Sequence, residues 1–212
     1  VITPLAVLLG VLGAGWGAIA DRVGARWPAH EDGHVRPVDW RTPVAVATGA
    51  IALGALTIRF DDPLPAVVIG AYLAALVVLL ATDLDQRLLP DVITLPAIPL
   101  ALAFVLLGLN PLVAPGDLPL AIAVAILVPL VLAVVAIPFG AGAIGMGDLK
   151  LLVSVGIIAG PLRMFSGVVY GALLAGVVIL VLLAARRITL RTYIPFGPFL
   201  IFGAMVAILV VR

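Results

Sequence analysis

The chain has 212 residues, 64% hydrophobic and 11% charged, with a mean hydropathy of +1.33. A soluble domain is about half apolar and about a quarter charged, so this composition excludes a single soluble core and describes a chain mostly embedded in lipid. A net charge of +1 leaves no footprint for nucleic acid, and the lack of cysteine excludes disulfides, thiolate chemistry and cysteine-ligated zinc.

A helix needs about 20 apolar residues to cross the hydrocarbon core. The first uncharged run, 1–20, has no basic stretch before it and reads as a retained span rather than a cleaved signal. The loop 21–41 carries Arg22, Arg26, Arg36 and Arg41, which mainly fix topology, and the HEDGH stretch with His30 and His34. Pro28 and Gly33 argue against helix there, and two histidines with no third ligand make a poor metal site, so the loop reads as solvated. Runs 42–58 and 63–82 predict the second and third helices. Run 92–116 predicts a fourth, ended by Asn110-Pro111 and Pro115-Gly116, and run 118–147 a fifth, ended by Pro138, Gly140 and Gly142. The segment 151–162 is short for a span unless residues from Gly145 or earlier also lie at membrane depth. Runs 164–185 and 192–211 predict two more. The chain is therefore expected to be an all-α polytopic membrane protein with about eight transmembrane helices, the sixth short or irregular near its start.

With eight spans, nine basic residues (Arg22, Arg26, Arg36, Arg41, Arg87, Lys150, Arg186, Arg187 and Arg191) fall on one side. Arg59, Arg163 and Arg212 fall on the other. The positive-inside rule puts the nine in the cytoplasm and both termini outside. Two acidic stretches, ATDLDQRLLPD (81–91) and GMGD (145–148), then meet the cytoplasmic edge at the same depth.

Asp83 ends the third run, where the helix macrodipole opposes a carboxylate and lipid disfavours its charge. It is either a helix end reaching the headgroups or functional, and intramembrane ionisable groups are functional by default. Asp85, about 200° round the helix from Asp83, reads as a solvated loop residue or a supporting partner. Asp91 follows Pro90 and precedes an apolar run, which suits an N-cap. Asp148 also suits a helix start, but Gly145 and Gly147 remove side chains beside it and let another backbone approach. Lys150 reaches the interface or holds an acidic group of a substrate. Glycines, a buried acid and a wet pocket suit hydrolysis of an extended peptide. Two carboxylates near lipid cannot both ionise cheaply, so one keeps a proton while the other activates water. Pro195 and Pro198 in IPFGPFL suit a helix entry that shapes a cavity wall without direct chemistry.

The stretch D-x-D-x-x-L-L-P-D at 83–91, G-x-G-D-x-K-L-L at 145–152 and IPFGPFL at 194–200 together resemble the type IV prepilin peptidases, bacterial inner-membrane aspartic proteases of the GxGD kind. The resemblance implies a catalytic pair at Asp83 and Asp148, with Gly145, Gly147, Lys150, Arg87 and Asp85 in support, no cofactor, and cleavage of a short basic leader from type IV prepilins or type II secretion pseudopilins at the cytoplasmic membrane face. Residues 1–41 then form a first span and a reduced cytoplasmic loop, and 42–212 the membrane-embedded catalytic domain. Many members carry CxxC pairs in that first loop, associated with zinc and N-methylation; the cysteine-free loop here puts methylation in doubt. Lys150 or Arg87 is expected to pair with the acidic residue that prepilins carry just inside their mature N-terminus.

Three other readings use the same residues. A presenilin-type protease shares the GxGD element, but residue 82 is threonine where that family has tyrosine, and no Pro-Ala-Leu occurs. A lipid phosphotransferase would gather Asp83, Asp85, Asp91 and Asp148 around magnesium. A proton-coupled transporter would use the acids as a relay.

Overall fold

The computed structural model describes residues 3–29, 33–139, 144–189, 192 and 194–211; among them every regular element is helical. Thr3 opens α1 (Pro4–Gly24): its Oγ1 accepts the Ala6 N–H at 3.1 Å, and Pro4 follows where a missing N–H costs nothing. α2 (Arg41–Gly54) continues through a short turn, α3 (Leu56–Arg59), and Asp62 then caps α4 (Pro63–Gln86) by accepting the Leu64 N–H at 3.1 Å. α5 (Asp91–Leu106) and α6 (Leu118–Ala136) precede the long α7 (Met146–Ala184), and α8 (Gly197–Val210) closes the chain.

Five segments are long and apolar enough to cross a membrane: α1, α2 with α3, α4, α6 with the turn before it, and α7. α5 and α8 are shorter apolar helices. This is a multi-pass helical membrane protein; the expected count of eight spans is finer than length and composition fix. α4 is its axis. Ile69, Leu73, Leu76, Val77 and Leu79 are all fully buried there, while α1 and α6 turn most of their leucine, isoleucine and valine outward. Tyr72 joins α4 to α7 through a 2.9 Å bond between its hydroxyl and Ser154 Oγ.

Lipid tails are as apolar as leucine, so helices associate by close contact rather than by hydrophobic drive. Glycine seams supply that contact. A Cβ on Gly13 would strike the backbone of Gly49 on α2, and one on Gly203 of α8 would strike Gly167 of α7.

α7 is two limbs. Gly160 has φ 78° and ψ 172°, a conformation essentially reserved for glycine, and the chain reverses there. Gly160 packs beside Val113, while Gly171 on the returning limb lies against Phe199 near the start of α8. Asn110 braces the reversal, its Nδ2 donating to Ile158 O at 2.8 Å, and the Arg163 guanidinium donates to Val211 O at 3.1 Å. The first limb, from Met146 to Gly160, is short for a span, in keeping with the short sixth helix expected. The reversal corrects one expectation: the division falls at Gly160, three residues before Arg163. Gly140 and Gly142 lie outside the described residues.

Candidate active site

Asp83 sits one turn before the end of α4, 4% exposed, and Arg87 closes that helix in the left-handed conformation with its N–H on Asp83 O at 2.9 Å. Asp148 is the third residue of α7 and 8% exposed; its Oδ2 accepts the Gly145 N–H at 3.3 Å. The macrodipole favours an acid at the second position and opposes one at the first, so helix stability accounts for Asp148 but not for Asp83.

The two acids meet at Gly197, the first residue of α8. A Cβ built there would lie closer than 3.0 Å to both Asp83 Oδ2 and Asp148 Oδ1. The carboxylates therefore come within about 6 Å of each other, a gap that one hydrogen-bonded water spans. Asp83 Oδ2 is buried and has no hydrogen-bond partner among the described residues.

A cavity of about 560 Å³ opens over the pair. Its walls come from four separated segments: Trp27 and Pro28, residues 87–92, the start of α7, and residues 195–197. Gly147 lets α7 approach the second of these closely, since a Cβ there would come within 2.8 Å of Leu89 Cβ. Gly145 plays a different part from the one expected: its missing side chain faces only Asp148, and its amide holds that carboxylate.

Two acids of the first motif point elsewhere. Asp91 is the first residue of α5, not its cap; Pro90 holds the cap position, and the Asp91 carboxylate takes Lys150 Nζ at 2.7 and 2.8 Å. Lys150 thus ties α7 to α5 at the cavity rim. Asp85 is not a solvated loop residue. It lies within α4, its side chain 2% exposed, paired with Arg36 Nε and Arg41 Nη1, each at 2.8 Å. Arg36 also pairs with Asp21 and Asp39, and Asp21 with Arg22 and Thr42. These arginines do more than set topology. Burial works against the charge on Arg36, and Asp21, Asp85 and Asp39 outweigh it, holding its pKa above the ordinary arginine value. Gln86 Nε2 completes the attachment, donating to Pro28 O at 2.7 Å and Gly24 O at 3.2 Å, so the first loop is fixed with Trp27 and Pro28 over the site. His30 lies outside the described residues and His34 is exposed.

Sequence reasoning missed Gly197, Trp27 and Pro28. The glycine between two prolines was the one available signal for the first; nothing local marks the other two. Among the described residues no three histidines or acids are grouped to hold a metal ion, and with Asp85 on Arg36 and Asp91 on Lys150 the four-carboxylate cluster of the phosphotransferase reading does not assemble.

A multi-pass helical membrane protein with two buried carboxylates converging beneath an open cavity is the class that fold and site define. Residues 70–211 match the model of the type IV leader peptidase family, and the chain belongs to that family. No curated protein and no solved structure matches it. The protein is a membrane peptidase of the leader-peptidase kind, acting on a protein substrate.

Proposed function

We propose that this peptidase is an aspartic endopeptidase that removes the short basic leader of type IV prepilins or type II secretion pseudopilins, with Asp83 and Asp148 as its catalytic pair. One observation carries the reading: both carboxylates converge on Gly197, and Asp83 Oδ2 is buried there without a hydrogen-bond partner among the described residues. In a low dielectric such a pair holds one proton between two acids. The charged acid takes a proton from water as that water attacks the scissile carbonyl carbon, and the protonated acid gives its proton to the carbonyl oxygen. Collapse of the tetrahedral diol returns a proton to the amide nitrogen, the C–N bond breaks, and the pair recovers its single proton. The cavity stands at the end of the bundle that carries Arg22, Arg36, Arg41 and Arg87, so the positive-inside rule puts it at the cytoplasmic face of a bacterial inner membrane, with both termini outside. Lys150 and Arg87, the two bases expected to meet a substrate acid, both line this cavity, and Lys150 is held at its rim by Asp91.

Purified enzyme in detergent with a candidate prepilin tests this. Asp83→Asn and Asp148→Asn should each reduce cleavage at least about 100-fold while the protein still inserts, and a chelator should change nothing. Full cleavage by Asp83→Asn overturns the assignment, and chelator sensitivity favours metal-dependent chemistry.

A further inference from the structure

On the opposite side of α4 from the catalytic cavity lie two further cavities, of about 760 and about 610 Å³, both lined by Val44, Thr48 and Phe202. Together they form one groove between α2 and α8. It starts at Trp40 and Arg41 and ends at Arg59 and Val210. α2 packs on α1 and α4, and α8 on α7 and α4, but α2 and α8 do not form a packed pair with each other. Residues 41–59 along one wall make a helical stretch about 28 Å long, close to the roughly 30 Å of bilayer hydrocarbon.

Its upper end decides what lies in it. Arg87 and Pro195 line both the groove and the catalytic cavity. Asp83 and Asp85, two residues apart on α4, face the cavity and the groove respectively, so the helix end is a partition with Arg87 and Pro195 as its crest. A chain leaving the groove at this end enters the catalytic cavity by crossing those two residues. The walls are apolar over the span, and charged side chains are confined to the two ends: Arg41, Asp85 and Arg87 above, Arg59 below. That distribution matches one apolar helix with polar flanks. A lipid tail fits the apolar walls but needs no path to the acids.

We propose that the groove between α2 and α8 docks the apolar helix of the substrate, and that the residues preceding that helix pass over Arg87 and Pro195 to reach Asp83 and Asp148. This rests on the proposed function for its substrate, a leader followed by an apolar segment. α2 thereby becomes part of substrate recognition although it lies outside the matched residues 70–211.

The chain has no cysteine, so a single introduced thiol is unique. Thr48→Cys and Phe202→Cys, made in the full-length protein, are each purified in detergent and labelled with benzylmaleimide; Val131→Cys, on the outward face of α6, is the control. Labelling at 48 or 202 should raise KM for a full-length prepilin at least about tenfold with little change in kcat, and leave cleavage of a leader peptide lacking the apolar segment unchanged. Labelling at 131 should do neither. In an Asp83→Asn background the thiols at 48 and 202 should also form disulfides with a prepilin carrying one cysteine in its apolar segment, a readout that needs no turnover. If native enzyme cleaves the prepilin but neither label matters and no disulfide forms, the groove holds lipid and the proposal fails alone. If native enzyme cleaves no prepilin, the proposed function fails with it.

Discussion

The Cα of Gly197 stands so near Asp83 that any side chain there would overlap the carboxylate, and the same side chain would press on Asp148. Glycine at this position is therefore a condition for the two acids to occupy their present places. Gly197→Ala should lower cleavage by about 100-fold or more, the scale expected of an ångström displacement in a catalytic pair, with the protein still folded and inserted. A rate assay beside a detergent melting curve separates the two effects; near-native turnover would show that the acids are not held where they meet Gly197.

The Lys150–Asp91 pair bridges α7 and α5 at an exposed rim, with side chains 26% and 59% exposed. Exposed pairs contribute about 0.2–1 kcal/mol, so Asp91→Asn should shift stability by less than about 1 kcal/mol and alter turnover only modestly. A double-mutant cycle with Lys150→Met reads the coupling.

The Asp85–Arg36 pair is another matter, because its side chains are only 2% and 9% exposed. Removing one member of a buried ion pair costs about 3–5 kcal/mol, chiefly by stranding the other charge. Asp85→Ala should therefore lower the melting temperature and expose the first loop to protease, whereas Arg41→Lys should be milder. Unchanged loop protection in Asp85→Ala would show that Gln86 and the Asp21–Arg36 pair hold the loop without Asp85.

Gly160→Ala forces a Cβ into a conformation closed to L side chains and within 2.9 Å of Val113 Cγ2. About 1–3 kcal/mol of backbone strain should result, seen as a lower melting temperature, while Gly176→Ala, with open space around it, should be silent.

The helical class and the helix borders set by proline were legible because they are written in local pattern, and the convergence of the two acidic motifs on one end of the bundle was legible because span count and the sidedness of basic loops set which helix ends share a face. Uncharged run length and the place of a proline need only neighbours, whereas the cap at Asp62, which accepts the Leu64 N–H, is seen only in the fold. The partners of Asp85 and Asp91 were not legible: Arg41 lies 44 residues from the first and Lys150 lies 59 from the second, and no local rule ranks a cap above a distant ion pair. Gly160 was passed over for a related reason. A Gly-Pro step inside a long apolar run marks a break, but Arg163 offered the more conspicuous boundary, and only the pocket formed by Val113 and Asn110 makes reversal at the glycine favourable. Gly197 was read through its flanking prolines, which explain where α8 starts but not why nothing larger than hydrogen is tolerated between them.

The hairpin within α7 sets the surroundings of Asp83 and Asp148 on the two arms of a lever. Asp148 rides on one limb, about 18 Å from the fulcrum at Gly160, and Gly197 follows the other limb through its seam with α8. A relative tilt of about 3° at the fulcrum displaces the acid by about 1 Å at the far tip. Cleavage rates of the enzyme reconstituted in bilayers of different thickness, which tilt helices to match their apolar length, are the measurement that reads this coupling.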